Sequence, residues 1–445
     1  MLMLLEHFSQ LVDSQPEAVF FKGENYSVTF EELSYAIGGR TKSLTGIGIT
    51  PELRVAIILD ESRDIIEILL SCWQLGAIPV LVSPHSTGTE LKLFLASAQP
   101  NMIITNWRIS EDVEDVDIPV FPIEELSQGF GGCAPPQLCH ETNLDNIRLV
   151  LFTSGSTGTP KAVQLTERNL IESAAAWHEQ LQFTQNDIYL NCLPMHHIGG
   201  ISIFLRSLVY GFSTYQMDGF NLEKITHSIQ SEKITLISMV PTMLQRLLDQ
   251  SENNLPPSIR GIIVSGGPSS ENLMNRCIAN DIPVYKSYGM TETSSGVCGF
   301  WLHEHPSKYE SVGLPFNKMK CKLIDSVLHV DGPTIMNGYF GEMPSENYID
   351  TGDFASIDDD GFIYINMRRS DRIVTGGENV NPKEVEDVLL SHPQITSAKV
   401  YGEPDEEWGQ SVVAEVSTNL KTHEINMWLS GKISEYKIPK VFYLK

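Results

Sequence analysis

Residues 151–163 read LFTSGSTGTPKAV, small hydroxylated residues and glycines that lead to a lysine. These residue types suit phosphate: glycines let backbone N–H groups approach closely, Ser154, Ser156, Thr157 and Thr159 supply hydroxyl donors, and Lys161 adds a mobile positive charge. Gly155, Gly158 and Lys161 are spaced G-x-x-G-x-x-K, whereas a Walker P-loop has four residues between its glycines and a Lys-Ser/Thr directly after the second. The stretch is therefore not a Walker P-loop. A solvated Ser/Gly turn is the competing reading; the strand-like IRLVLF that feeds the loop and Pro160 that stiffens it weigh towards phosphate.

Further candidates lie downstream. SYGMTETSSG (287–296) places a single carboxylate, Glu292, among hydroxyls and glycines. Read alone, such a glutamate is more often a surface or capping residue; beside a triphosphate it makes a natural Mg²⁺ ligand, because that ion takes one or two protein carboxylates plus phosphate oxygens. In YIDTGDFASIDDDGF, Asp353 could accept hydrogen bonds from two ribose hydroxyls or simply cap a turn. RRSDRIVTGGENVNPKEVE combines arginines with a Gly-Gly turn, and LPMHHIGG carries the pair His196-His197.

The chain has 445 residues and a formal charge of −25. That balance argues against nucleic acid or an anionic membrane as the main partner, so any anionic ligand has to be captured locally by arginine, lysine, backbone amides or a bound cation. The seven cysteines show no C-x-x-C pair, which points to reduced thiols in the cytoplasm and to neither a zinc site nor a disulfide framework. The opening MLMLLEHFSQLVDS reads as an amphipathic helix and not a signal peptide, and no apolar run approaches the roughly 18 residues of a membrane span. Homo-oligomer formation is left open.

The elements that must position these residues follow from periodicity. TFEEL (29–33) is a capping-box start. Short β-branched runs such as RVAIILD, AIPVLVS, NMIIT, ITLISMV and IRGIIVSGG alternate with helical periods such as DIIEILLSCWQLG. The expected fold is α/β, with mostly parallel sheets and ligand loops at the carboxyl ends of strands. Past residue 310, KMKCKLIDSVLHV and FIYINM read as antiparallel strands and NPKEVEDVLLSHP as a helix with Pro382 in its first turn. The charged RRSDR marks a boundary, giving domains 1–368 and 369–445.

In this order, SGSTGTPK, YGMTET, IDTGD and RRSDRIVTGGEN closely resemble the adenylate-forming superfamily of acyl-CoA synthetases, luciferases and peptide-synthetase adenylation domains. The resemblance covers nearly the whole chain. It implies a large N-terminal domain of α/β subdomains with a distorted β-barrel region, and a small mobile α+β C-terminal domain, here shortened. It also implies ATP, Mg²⁺ and coenzyme A as ligands. The matched positions make Thr153, Ser154, Gly155, Ser156, Thr157, Gly158, Thr159 and Lys161 the cradle for the β- and γ-phosphates, Thr291 an α-phosphate contact and Glu292 the metal ligand. Ser265, Gly266 and Gly267 match the turn on which adenine packs, Tyr288 the stacking aromatic, and Asp353 and Arg368 the ribose contacts. His197 and Gly289 border the acyl pocket. The hinge falls at Ser370 and Asp371, with Met367 where a glycine is common.

CLPMHHIGGISIFLRSLVYGF together with SMVPTMLQRLLD resembles the ligases that attach coenzyme A to o-succinylbenzoate in menaquinone biosynthesis. There an arginine matched by Arg206 contacts the substrate's carboxylates. Another aryl- or acyl-CoA ligase, or a non-catalytic nucleotide-binding relative, remains the alternative; Mg²⁺-dependent pyrophosphate release separates enzyme from binding module. The family closes with a Gly-Lys motif whose lysine serves adenylation. This sequence ends GKISEYKIPKVFYLK, so the expectation is that this lysine is missing. Lys432, Lys437, Lys440 and Lys445 remain as the nearby cations, with Lys445 the candidate substitute.

Overall fold

The computed structural model describes residues 2–110, 113, 116–126, 143–154, 159–343, 348–368 and 373–445. Two large sheets carry the N-terminal part. One has nine strands, in the order Leu314–Pro315, Ser295–Trp301, Val284–Met290, Gly261–Val264, Leu236–Met239, Ile188–Asn191, Ser213–Gln216, Val19–Lys22 and Ser27–Thr29. It is parallel from Val284–Met290 to Val19–Lys22 and antiparallel at both edges. The other has seven, in the order Gly338–Tyr339, Pro160–Thr166, Ile147–Ser154, Ile78–Leu81, Arg54–Ile58, Met102–Thr105 and Val120–Pro122, parallel from Ile147–Ser154 onwards. Central strands are buried on both faces, which is why they read as continuous β-branched runs.

A single apolar core joins the two sheets. Helix Ser62–Leu75 lies in it, with Ile66, Leu69, Leu70 and Trp73 fully buried against residues from helices Phe30–Gly46 and Ile198–Tyr210. Thr29 caps Phe30–Gly46 through a reciprocal bond pair with Glu32, as the capping-box pattern predicts. The charges buried there are paired: Arg40 reaches Asp64 at 2.8 Å and Glu67 at 3.1 Å, and Arg148 pairs with Glu167. Pairing offsets the desolvation that would otherwise make such burial untenable.

The region expected as a distorted barrel holds a four-stranded antiparallel sheet, Lys320–Ile324, Val327–Asp331, Ile349–Ile357 and Ile363–Arg368. A fourth sheet begins at Ile373. Its strands Glu378–Val380, Ile373–Thr375, Gly409–Thr418 and Ile395–Asp405 are antiparallel, and Val441–Leu444 joins Gly409–Thr418 in parallel. Helices Pro382–Leu390 and Thr422–Leu429 cover it and give it its own core. Among the described residues, no helix is long and apolar enough to cross a membrane.

Candidate active site

The strands flanking the glycine-rich stretch, Ile147–Ser154 and Pro160–Thr166, pair antiparallel, with Thr153 opposite Lys161 and Ser154 opposite Pro160. Gly155, Ser156, Thr157 and Gly158, and the side chain of Ser154, lie outside the described residues. A P-loop runs into a helix whose N-terminus attracts anions; here the stretch is followed by the strand Pro160–Thr166 and not by a helix. Lys161 is half-buried, its Nζ 4.3 Å from the centroid of the Tyr339 ring and 3.7 Å from Glu342 Oε1.

The strand Val284–Met290 passes through Tyr288 and Gly289, which the sequence suggested were loop, and ends in a 3₁₀ turn, Thr291–Thr293. A Cβ on Gly289 would lie 1.8 Å from the carbonyl oxygen of Ser295, so only glycine fits this close strand approach. Beyond the turn, Ser294 and Ser295 take φ of +53° and +112°, a strained region for a side-chain-bearing residue. Ser173 Oγ donates to the Ser294 carbonyl at 2.6 Å and Ser294 Oγ to the Thr334 carbonyl at 2.8 Å, which hold the loop there.

That geometry buries Glu292. Its Oε1 accepts hydrogen bonds from Thr153 Oγ1 at 3.3 Å and from the Tyr339 hydroxyl at 3.0 Å, while its buried Oε2 has no partner among the described residues. The residue borders a cleft with an empty volume of about 680 Å³, lined also by Met290, Gly338, Tyr348 and Asp350. Among the described residues, no three His, Cys, Asp or Glu side chains converge as a metal site. One orphaned carboxylate oxygen beside a phosphate loop fits Mg²⁺, which draws most of its shell from phosphate and water.

Tyr288 and Asp353 meet: the phenol donates to Asp353 Oδ2 at 2.5 Å, both residues being buried. Asp353 lies on Ile349–Ile357, directly across the ladder from Arg368, whose side chain is outside the described residues along with Ser370 and Asp371. Ser265, Gly266 and Gly267 follow strand Gly261–Val264, and Gly266 takes φ +82°. The Gly376-Gly377 turn of the fourth sheet reaches the same place, since a Cβ on Gly377 would lie 2.7 Å from Val240 and one on Gly267 would lie 3.3 Å from Val374.

Arg206 is the least ordinary group. It is 3% exposed on helix Ile198–Tyr210, and no carboxylate among the described residues pairs with it. Its Nη2 donates to Ser295 Oγ at 2.9 Å, its guanidinium lies 4.3 Å over the Trp177 ring, and its buried Nε has no partner among the described residues. Burial lowers its pKa to about 10, against the opposing pull of Tyr189.

His197 lies at the N-terminus of the same helix and reaches across to the fourth sheet, its Nε2 3.2 Å from Glu378 Oε2. The His197 side chain is 45% exposed; the desolvation it does suffer opposes protonation, the adjacent Glu378 carboxylate outweighs that, and the pKa stands above 6.5. Burial would raise Glu378; His197, His196 and Lys437 outweigh it and bring Glu378 down to about 2. His196 beneath is kept neutral by burial and by His197. The sign follows for each partner. The raised His197 contributes fully below 6.5 and loses its contribution as pH rises through its own value, and the depressed Glu378 contributes fully above its ordinary 4.5. This contact is therefore strongest between about pH 4.5 and 6.5, and a fluorescence distance between labels on the two sides should show the C-terminal sheet loosening as pH rises through the raised His197 value. Glu378→Gln removes that pH dependence.

The C-terminal lysines are all engaged. Lys432 lies 3.8 Å over Trp428, Lys440 3.5 Å over Trp408, and exposed Lys445 pairs with Glu415. Lys437 is buried between Glu90 Oε1 at 2.7 Å and Glu384 Oε1 at 2.8 Å. Sequence reasoning missed Glu90, Trp177, Tyr339 and Glu378. Only Glu378 had a local signal, the TGGE turn; the rest are brought in by packing between distant segments.

Residues 8–340 match the AMP-binding enzyme family and residues 384–445 the AMP-binding enzyme C-terminal domain. The chain belongs to the AMP-binding enzyme family. Among curated proteins it is similar to the 2-succinylbenzoate–CoA ligases of Bacillus cereus (strain ZK / E33L) and Bacillus anthracis (strain A0248), each 32% identical over 444 residues, covering 96% of this chain and 91% of the relative. Among solved structures, an o-succinylbenzoate CoA synthetase double mutant from Bacillus subtilis bound with the product analogue OSB-NCoA superposes with a TM-score of 0.93 at 30% identity, covering 99% of this chain and 94% of that one. The synthetase from the same organism in complex with the acyl-adenylate intermediate OSB-AMP gives 0.79 with the same identity and coverage. Amide bond synthetase McbA from Marinactinospora thermotolerans, 21% identical over 100% of this chain and 96% of its own, shares the fold at 0.90.

Proposed function

We propose that this chain is an AMP-forming acid–CoA ligase that converts 2-succinylbenzoate first to its acyl-adenylate and then to its coenzyme A thioester, in menaquinone biosynthesis. The observation that carries the substrate is Arg206. A buried guanidinium with an orphaned N–H and no carboxylate partner is costly in the free protein, and a substrate with a second carboxylate supplies the missing charge. The aromatic face of Trp177 beside it suits an aryl acid.

The remaining residues divide the work. Residues 153–159 and Lys161 neutralise the β- and γ-phosphates, so that an anionic carboxylate can approach the α-phosphate near Thr291 in line. Bound Mg²⁺ adds charge neutralisation there, and Glu292 Oε2 is the oxygen available to hold it. Asp353, placed by Tyr288 and joined by Arg368, takes the ribose hydroxyls. Ser265, Gly266 and Gly267 give the adenine a flat backbone surface. His197 and Gly289 border the carbon that reacts. The thiolate of coenzyme A then displaces AMP. We place the division between an N-terminal domain, 1–368, and a C-terminal domain, 369–445, with Ser370 and Asp371 at the hinge. A cytoplasmic setting accords with the buried Cys72, Cys192 and Cys298, whose thiols burial keeps protonated.

A mass-spectrometric time course with MgATP, coenzyme A and 2-succinylbenzoate tests the proposal. Both the acyl-adenylate and the thioester should accumulate in order, and a silent reaction even from supplied acyl-adenylate would overturn it.

We infer that the C-terminal domain lies here as the second step requires, a reading supported by the higher superposition score on the product-analogue complex than on the acyl-adenylate complex; Lys437 joins the C-terminal segment to Glu90. Ser434 Oγ donates to Glu90 Oε2 at 2.6 Å, and Ser434 N to Glu90 Oε1 at 3.1 Å, so Glu90 carries both the cap of helix Gly88–Ala98 and this contact. Truncating one partner of such a buried pair costs about 2–5 kcal/mol. Lys437→Met should slow thioester formation from supplied acyl-adenylate by roughly tenfold or more while leaving adenylation in place. Adding Glu90→Gln, which removes the stranded charge, should restore part of the rate.

A further inference from the structure

We infer that Tyr339 is a positioning residue that couples the phosphate lysine to the metal carboxylate; the inference rests on the reading of Glu292 as the magnesium ligand. Tyr339 belongs to the two-residue edge strand Gly338–Tyr339, paired antiparallel with Pro160–Thr166 so that Tyr339 lies opposite Val163 and Gly338 opposite Gln164. The strand is anchored at both ends: Met336 N–H donates to the Glu292 carbonyl at 2.9 Å and Phe340 N–H to the Ala162 carbonyl at 2.8 Å. Its backbone is thus bonded on one side to the strand that carries Lys161 and on the other to the turn that carries Glu292.

The side chain repeats the connection. Its hydroxyl donates to Glu292 Oε1, which also accepts from Thr153, and this leaves Oε2 as the free oxygen. A carboxylate with one oxygen committed to two donors is fixed in orientation and offers its other oxygen, Oε2, to a cation. The face of the same ring carries the Lys161 ammonium at 4.3 Å, a cation–π contact that aims a flexible side chain at little entropic cost. One aromatic side chain therefore sets the distance between the two positive charges that ATP must meet, the ammonium and the metal. Glu342 holds Lys161 from the solvent side at 3.7 Å, and phosphate would displace it.

Calorimetric titration with ATP, with and without Mg²⁺ and with no acid present so that no turnover occurs, separates the two couplings. In Tyr339→Phe the ring remains and the hydroxyl is lost: the enhancement of ATP affinity by Mg²⁺ should fall roughly tenfold, the lower end for a hydrogen bond to a charged group, while metal-free ATP affinity holds. In Tyr339→Leu the metal-free affinity should fall as well, since Lys161 loses its platform. Full Mg²⁺ enhancement in Tyr339→Phe, with both variants melting cooperatively near the parent, overturns the inference. Glu292→Gln serves as the reference. If it too keeps the Mg²⁺ enhancement, the reading of Glu292 has failed and the role of Tyr339 falls with it.

Discussion

Glu292→Gln should lower the rate of acyl-adenylate formation by roughly a hundred- to a thousandfold, the usual cost of removing one preorganised charged group from a site of developing charge. The amide keeps the shape and still accepts from Thr153 and Tyr339 through its oxygen, so the turn Thr291–Thr293 keeps its geometry. What is lost is the charge on the buried second oxygen, the atom with no protein partner. An NH₂ group in its place presents donors to a cation and repels it. Because coenzyme A attacks an adenylate that has already shed pyrophosphate, the second half-reaction should proceed from supplied acyl-adenylate at close to the parent rate. Quenched-flow measurement of each half separately checks this. Equal losses in both halves would mean that the substitution had damaged the fold and not the metal site.

Arg206→Met gives the second large effect, and its two parts have opposite signs. Losing the buried partner of a substrate carboxylate costs about 2–5 kcal/mol of binding, so the KM for 2-succinylbenzoate should rise by a factor of thirty or more. Benzoate-type acids without a second carboxylate should lose nothing. The free protein should become more stable by about 1–3 kcal/mol, because a desolvated guanidinium with an unpaired Nε is replaced by an apolar side chain of similar length lying on Trp177. Denaturant melts and a comparison of acids test both halves. A variant that is less stable than the parent would show that Arg206 serves the fold.

Much of the site was legible in the sequence because its residues sit in short contiguous stretches whose local chemistry is self-explaining. The hydroxyl-glycine run before Lys161, the lone carboxylate of YGMTET and the aspartate of IDTGD each carry their meaning within about ten residues, and backbone hydrogen bonding gives such stretches their shape wherever they fold. The periodicities did the same for the elements: the β-branched runs became the parallel strands, and TFEEL started its helix at Thr29. One local reading gave way to tertiary pairing: Tyr288 and Gly289 continue a strand, because Ser295–Trp301 folds back against them.

The linear chain therefore specifies the chemical groups and the short backbone shapes that display them. Tertiary structure alone decided which of them touch. Nothing near Tyr339 in the chain announces a partner of Glu292 or Lys161, since its role comes from an edge strand inserted between two sheets' worth of distant sequence. Nor does Glu90 announce Lys437: a capping glutamate far from the C-terminus becomes an interdomain acceptor only when the small domain lies on it. The unpaired state of Arg206 is likewise invisible in a linear chain, because burial is a property of the surrounding helices and desolvation scales with what they exclude. Local chemistry is written residue by residue, whereas distance, burial and the absence of a partner come into being only when the sheets pack around their cores.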